Sequence, residues 1–99
     1  MGTSMTEQLH ALESLMRDRL EHRPAGSYSL TLLTDAELAQ RKIMEEAFEL
    51  CLELGRESVD LQRTASEAAD VVFHVLAGIV GAGVSLDAVL DELAARQGK

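Results

Sequence analysis

Three observations predict an all-α protein. Pro24 is the only proline and aromatic residues make up 3% of the chain. No stretch sustains the two-residue alternation of a half-buried strand, and apolar residues recur at helical spacing over most of the length. Four helices are expected, in one domain over residues 1–99, because 99 residues can enclose one core but not two. Met1 to Ser4 fit an expression remnant ahead of a natural start at Met5 and carry no functional weight.

The first helix is expected from Thr6 to Glu21, where Leu9, Leu12, Leu15, Met16 and Leu20 share a face. Pro24 and Gly26 end it, and an irregular connection follows from Arg23 to Leu33, long enough for a functional loop. Thr34 and Glu37 form a capping-box pattern that opens a second helix, which Gly55 stops. A third helix is expected over Ser58 to Val80, ending at Gly81-Ala82-Gly83. Ser85 is positioned to cap a fourth, which ends near Arg96.

A formal net charge of -8 with no cluster of Lys and Arg argues against nucleic acid or an anionic membrane surface as partner. An anionic ligand would need a mediating cation. Cys51 is the single cysteine, which excludes an intrachain disulfide and a cysteine zinc cage and fits a reducing, cytoplasmic setting. It reads as a small buried hydrophobe. The apolar run from Val71 to Val80 is too short and interrupted for a membrane span, and the N-terminus lacks the signal-peptide pattern.

Carboxylates stand where they should be least welcome. At about 100° per residue, Glu45, Glu46, Glu49 and Glu53 fall on one arc of an otherwise apolar helix. On the third helix Glu67, Asp70 and His74 form a narrower stripe, surrounded by Val71, Val72, Phe73, Val75 and Leu76. Such a helix is expected to be buried nearly all round, so the two stripes most simply face each other across a crevice. Like charges brought that close would force protonation or separation. A magnesium ion removes the conflict and, since it keeps some of its waters, leaves positions for phosphate oxygens. Glu46 and Glu49, with Glu67 and Asp70, are the expected ligands. Four helices this apolar have more greasy surface than a monomer hides, which predicts a homodimer or a homotetramer built as a dimer of dimers that buries the third helix.

The order Ser27-Tyr28-Ser29-Leu30, Lys42-Ile43-Met44-Glu45-Glu46-Ala47-Phe48-Glu49, Glu67-Ala68-Ala69-Asp70-Val71-Val72-Phe73-His74 and Gly83-Val84-Ser85-Leu86 resembles the phosphoribosyl-ATP pyrophosphohydrolases of histidine biosynthesis. The resemblance spans about Arg23 to Arg96. It implies the all-α, MazG-like nucleoside triphosphate pyrophosphatase fold, packed as a dimeric or tetrameric bundle. It also implies hydrolysis of N1-(5-phosphoribosyl)-ATP to the monophosphate and pyrophosphate, with magnesium as cofactor.

Within that resemblance Glu45 either binds a second magnesium or takes a proton from the attacking water, unless it faces outward on Lys42 or Arg41. Lys42 either reaches a phosphate oxygen or screens Glu45 and Glu46. His74 either orients a ligand carboxylate from behind or is a satisfied core residue. Ser27, Tyr28 and Arg23 are candidates for substrate contact, Tyr28 by stacking or else as a cap on the core. Arg96 meets a phosphate or complements its own helix end. Two other functions remain open: a MazG-like housecleaning pyrophosphatase, and a non-catalytic acidic helical interaction module.

Overall fold

The computed structural model describes residues 5–98 and is helical throughout: α1 (Met5–His22), α2 (Tyr28–Thr34), α3 (Ala36–Leu54), α4 (Leu61–Gly81) and α5 (Leu86–Ala95). There is no strand among the described residues. The remnant expected at residues 1–4 lies outside them.

The structure has one helix more than expected. Part of the connection read as irregular folds into α2, because Ser27 Oγ accepts from the Leu30 amide at 3.2 Å and because Leu32 and Leu33 bury themselves in the core. Burial of two leucines outweighs the weak propensity of so short a helix. The second cap also moves. Asp35, not Thr34, caps α3, accepting from the Leu38 amide at 3.0 Å. Thr34 remains the last residue of α2, its hydroxyl donating to the Leu30 carbonyl at 2.8 Å. Asp60, not Ser58, begins α4 in the same manner, accepting from the Arg63 amide at 3.0 Å. The Ser85 cap is as expected, with Oγ accepting from the Ala88 amide at 3.1 Å.

Helix α4 ends in a closed motif. Val84 N donates to Ile79 O at 2.8 Å and Gly83 N to Val80 O at 3.0 Å, with Gly83 in the left-handed region at φ 88°, where an L side chain would be strained. Just before it, Gly81 lets α4 press on α2, since a Cβ there would meet the Leu33 carbonyl oxygen at 2.5 Å.

The core gathers Met16 of α1, Leu32 and Leu33 of α2, Leu76, Ala77 and Val80 of α4, and Leu86 of α5. Polar contacts tie α5 to α1. Glu13 accepts from the Leu86 amide at 2.8 Å, which holds its carboxyl below the usual range and places a negative charge at the α5 N-terminus. His10 meets Asp87 at 2.6 Å.

By length and composition α4 could cross a membrane. It is also the helix on which the others pack, and Arg63, Glu67, Asp70 and His74 run along it. It is less enclosed than its composition suggests: Val72 and Val75 remain exposed, as do Met44, Phe48 and Leu52 of α3. Cys51, expected inside, is also exposed, because it lies on that outer side of α3 beside Phe48 and Leu52.

Candidate metal centre

Helices α3 and α4 are joined by residues 55–60 alone and pack side by side, so they run antiparallel. This turns two sequence stripes into one lined crevice. Lys42, Glu46, Glu49 and Glu53 follow each other along α3, and His74, Asp70, Glu67 and Arg63 follow each other along α4 at the same spacing of four, three and four residues. Spacings of three and four keep each row on one face. Charge therefore changes along the crevice in a fixed order: cation, acids, cation.

The acids meet at its centre. Glu46, Glu49 and Glu67 each bring a carboxylate oxygen to within 4.8 Å of the other two. Glu46 is buried, and its carboxyl is pushed above the usual range, first by burial and then by the charge of Glu49, with which it shares a hydrogen bond. Asp70 adds repulsion from the side, and His74 opposes it slightly. Asp70 is thus close enough to be felt but stands outside the tight group of three.

Two buried oxygens, Glu46 Oε2 and Glu67 Oε2, have no hydrogen-bond partner. An unpartnered buried carboxylate oxygen costs on the order of 1–3 kcal/mol or more, and the pair faces a cluster of like charge. All-oxygen donors with unsatisfied lone pairs fit a hard divalent cation. Glu53 makes the contrast. It is equally buried, yet Arg56 Nε donates to its Oε1 at 3.0 Å and Arg63 Nη2 approaches its Oε2 at 3.2 Å. The fourth acid of α3 is neutralised by arginine; the three at the centre are not.

The other expected site residues fall around this group. Lys42 Nζ lies 3.0 Å from Glu45 Oε1 and 3.6 Å from Glu46 Oε1, and the Glu45 hydrogen bond raises its pKa. Glu45 is exposed and is linked to Glu46 through the shared Lys42 ammonium. The Tyr28 hydroxyl shares a hydrogen bond with His74 Nε2 at 2.9 Å, and His74 Nδ1 donates to the Asp70 carbonyl at 2.6 Å. The Tyr28 ring stacks on Phe73, centroids 6.4 Å apart and planes 10° from parallel. Tyr28 as a residue is 49% exposed.

Three residues are placed elsewhere. Ser27 commits its hydroxyl to the α2 cap. Arg23 is exposed past the end of α1, in the left-handed region at φ 48°. Arg96 pairs with Glu92 at 3.5 Å at the end of α5. Sequence reasoning passed over Arg56 and Arg63. Arg63 stands one turn before Glu67, within the arc already occupied by Glu67, Asp70 and His74, and that position was the signal available.

The chain is similar to phosphoribosyl-ATP pyrophosphatases from distant organisms. One from Caulobacter vibrioides (strain NA1000 / CB15N) is 38% identical over 98 residues, covering 99% of this chain and 90% of the relative. Another, from Methanoculleus marisnigri, is 38% identical and covers 90% of this chain and 93% of the relative. A third, from Metallosphaera sedula, is also 38% identical and covers 93% and 98%. Residues 9–97 match the phosphoribosyl-ATP pyrophosphohydrolase family as a whole, and the chain belongs to that family.

Proposed function

We propose that this protein, acting as a single domain, hydrolyses N1-(5-phosphoribosyl)-ATP between its α and β phosphates, in the second step of histidine biosynthesis. Glu46, Glu49 and Glu67 hold magnesium, and Asp70 completes the set. The observation that carries this reading is the pair of buried, partnerless oxygens on Glu46 and Glu67, in a chain of this family. Bound magnesium supplies positive charge that screens the triphosphate and stabilises charge developing on the leaving oxygens.

The chain's own residues do the rest. Burial and antiparallel packing fix the carboxylates before substrate arrives, so little reorganisation is needed on binding. Glu45, at the edge of the group and open to water, takes the proton of the attacking water. Its pairing with Lys42 holds it there, and the Lys42 ammonium faces a substrate phosphate oxygen. The exposed ring of Tyr28 stacks on the nucleoside. Ser27 supports Tyr28 by capping its helix, Arg23 reaches the ribose phosphate, and His74 steadies Asp70 from behind.

The protein works in the cytoplasm as a homodimer or homotetramer, with Met44, Phe48 and Leu52 on the outer side of α3 supplying apolar surface for self-association. Neither nucleic acid nor membrane is a partner. Pyrophosphate release with magnesium, compared between phosphoribosyl-ATP and the deoxynucleoside triphosphates, tests the substrate. Faster release from phosphoribosyl-ATP is the expected result; the reverse preference would move the protein to a housecleaning role.

A further inference from the structure

The two ends of the crevice differ in chemistry. At one end stand Lys42, His74 and the stacked Tyr28 and Phe73 rings. At the other, Glu53 is clamped between Arg56 and Arg63. Arg63 and Glu53 are each one helical turn, about 6 Å along the axis, from the Glu67 and Glu49 of the metal group.

We infer that Arg56 and Arg63 form the pyrophosphate end of the site, holding the β and γ phosphates of the substrate and then the released pyrophosphate. This rests on the reaction proposed above. Two guanidiniums against one carboxylate leave a net positive charge in a chain of net charge -8. Each guanidinium carries five N–H donors, and Glu53 engages three of the combined set: Arg56 Nε, Arg56 Nη2 and Arg63 Nη2. Both side chains are more than half exposed, at 51% and 63%, whereas that of Glu53 is only 6% exposed.

The buried carboxylate thus works as a mount. It fixes two forks whose remaining donors face outward, so less side-chain freedom is lost when they close on a phosphate. The flat aromatic end suits a nucleoside, and the donor-rich end suits the most highly charged part of the ligand. With the metal group between them, the cut falls between the two ends.

Titration calorimetry of the magnesium-loaded protein with inorganic pyrophosphate, and separately with phosphoribosyl-AMP, tests the assignment. Arg63→Gln should weaken pyrophosphate binding by about tenfold or more while phosphoribosyl-AMP stays within about twofold. Arg63→Lys keeps the charge and the hold on Glu53 but loses the fork, and should weaken pyrophosphate selectively as well. It also serves if the glutamine variant does not fold. Pyrophosphate affinity unchanged in the folded variants, or an equal loss for both ligands, overturns the inference. Neither titration requires turnover. A protein that cleaves phosphoribosyl-ATP but fails this test loses only the pyrophosphate end, whereas failure to cleave it overturns the proposed reaction.

Discussion

The Tyr28 hydroxyl and His74 Nε2 are hydrogen-bonded across 2.9 Å, and this bond holds the imidazole in place. The Asp70 carbonyl can only accept, so the bond to it at 2.6 Å puts a ring proton on Nδ1, and Nε2 is left to the Tyr28 hydroxyl. Both ring nitrogens of His74 are thus hydrogen-bonded, although the ring lies beside an acidic group. The same bond anchors α2 to α4 at the edge of the metal centre.

Removing that hydroxyl should be felt in stability and in the ring. Tyr28→Phe keeps the stack on Phe73 but leaves a buried Nε2 without its partner, at a cost of about 1 kcal/mol. Urea denaturation reads the loss, and the nitrogen chemical shifts of His74 read the altered ring. An unchanged midpoint with unchanged shifts would show that the bond does not hold the ring.

Metal should act as a folding ligand. A cation that binds only the folded protein at about one hundred times its Kd adds about 2.7 kcal/mol, so magnesium should raise the melting temperature relative to EDTA. Glu46→Gln removes a ligand and should shrink that rise. In EDTA the same variant should match or exceed the wild type, because it removes a buried carboxylate crowded by Glu49 and Asp70 and met only by Lys42 at 3.6 Å. Loss of pyrophosphate release should accompany it, by a factor of about one hundred or more.

The metal-free protein should also carry an acid signature. The Glu46 carboxyl sits above its ordinary 4.5 in the fold, through burial and the Glu49 charge. Its contribution to stability is therefore fully present below 4.5 and is lost as pH rises through the raised folded value. Glu13, lowered chiefly by the Leu86 amide, works in the opposite sense: its contribution is present above its ordinary value and is lost as pH falls through the lowered one. In EDTA, the advantage of Glu46→Gln over the wild type should grow as pH rises from 4.5 and vanish below it. Denaturation midpoints across pH 4 to 8 check the sign; an advantage that instead grew toward acid would contradict the placement of Glu46.

Much of this was legible in the sequence because helical periodicity is local. The acids fell into arcs that needed only the angle per residue, and antiparallel packing of consecutive helices brought Glu46, Glu49 and Glu67 together as expected. What escaped was settled by tertiary contacts. Helix α2 exists because Leu32 and Leu33 found a core to enter. Glu53 looked like one more member of the acidic row, and only the fold shows Arg56 and Arg63 closing on it. Cys51 looked like a core residue because the outer side of α3 is as apolar as the inner one.

Gly81 offers a test of the packing that positions α4. Alanine in a helix is favoured over glycine by about 1 kcal/mol, so propensity alone predicts that Gly81→Ala stabilises. The added Cβ, however, would meet the backbone oxygen of Leu33 at 2.5 Å, and backbone cannot yield as a side chain tip does. Such overpacking costs about 1–3 kcal/mol, and with the propensity gain of about 1 kcal/mol set against it the expected net effect is a destabilisation of up to about 2 kcal/mol. A raised melting temperature would show that α2 gives way and that the α2–α4 approach is loose.

Phe48 tests the outer face of α3. It is 63% exposed, and one turn to either side Met44 and Leu52 are exposed as well, on the side opposite the row of acids by helical angle. A stripe of this kind is costly in water and marks an association surface. Phe48→Asp places a charge at its middle without touching the metal group. Sedimentation at micromolar concentration should show a wild-type dimer or tetramer and a smaller species for the variant, while far-ultraviolet dichroism keeps its helical signal. If the variant also loses pyrophosphate release, partner-chain contact is part of the working site; if activity survives in the dissociated form, each chain carries its own.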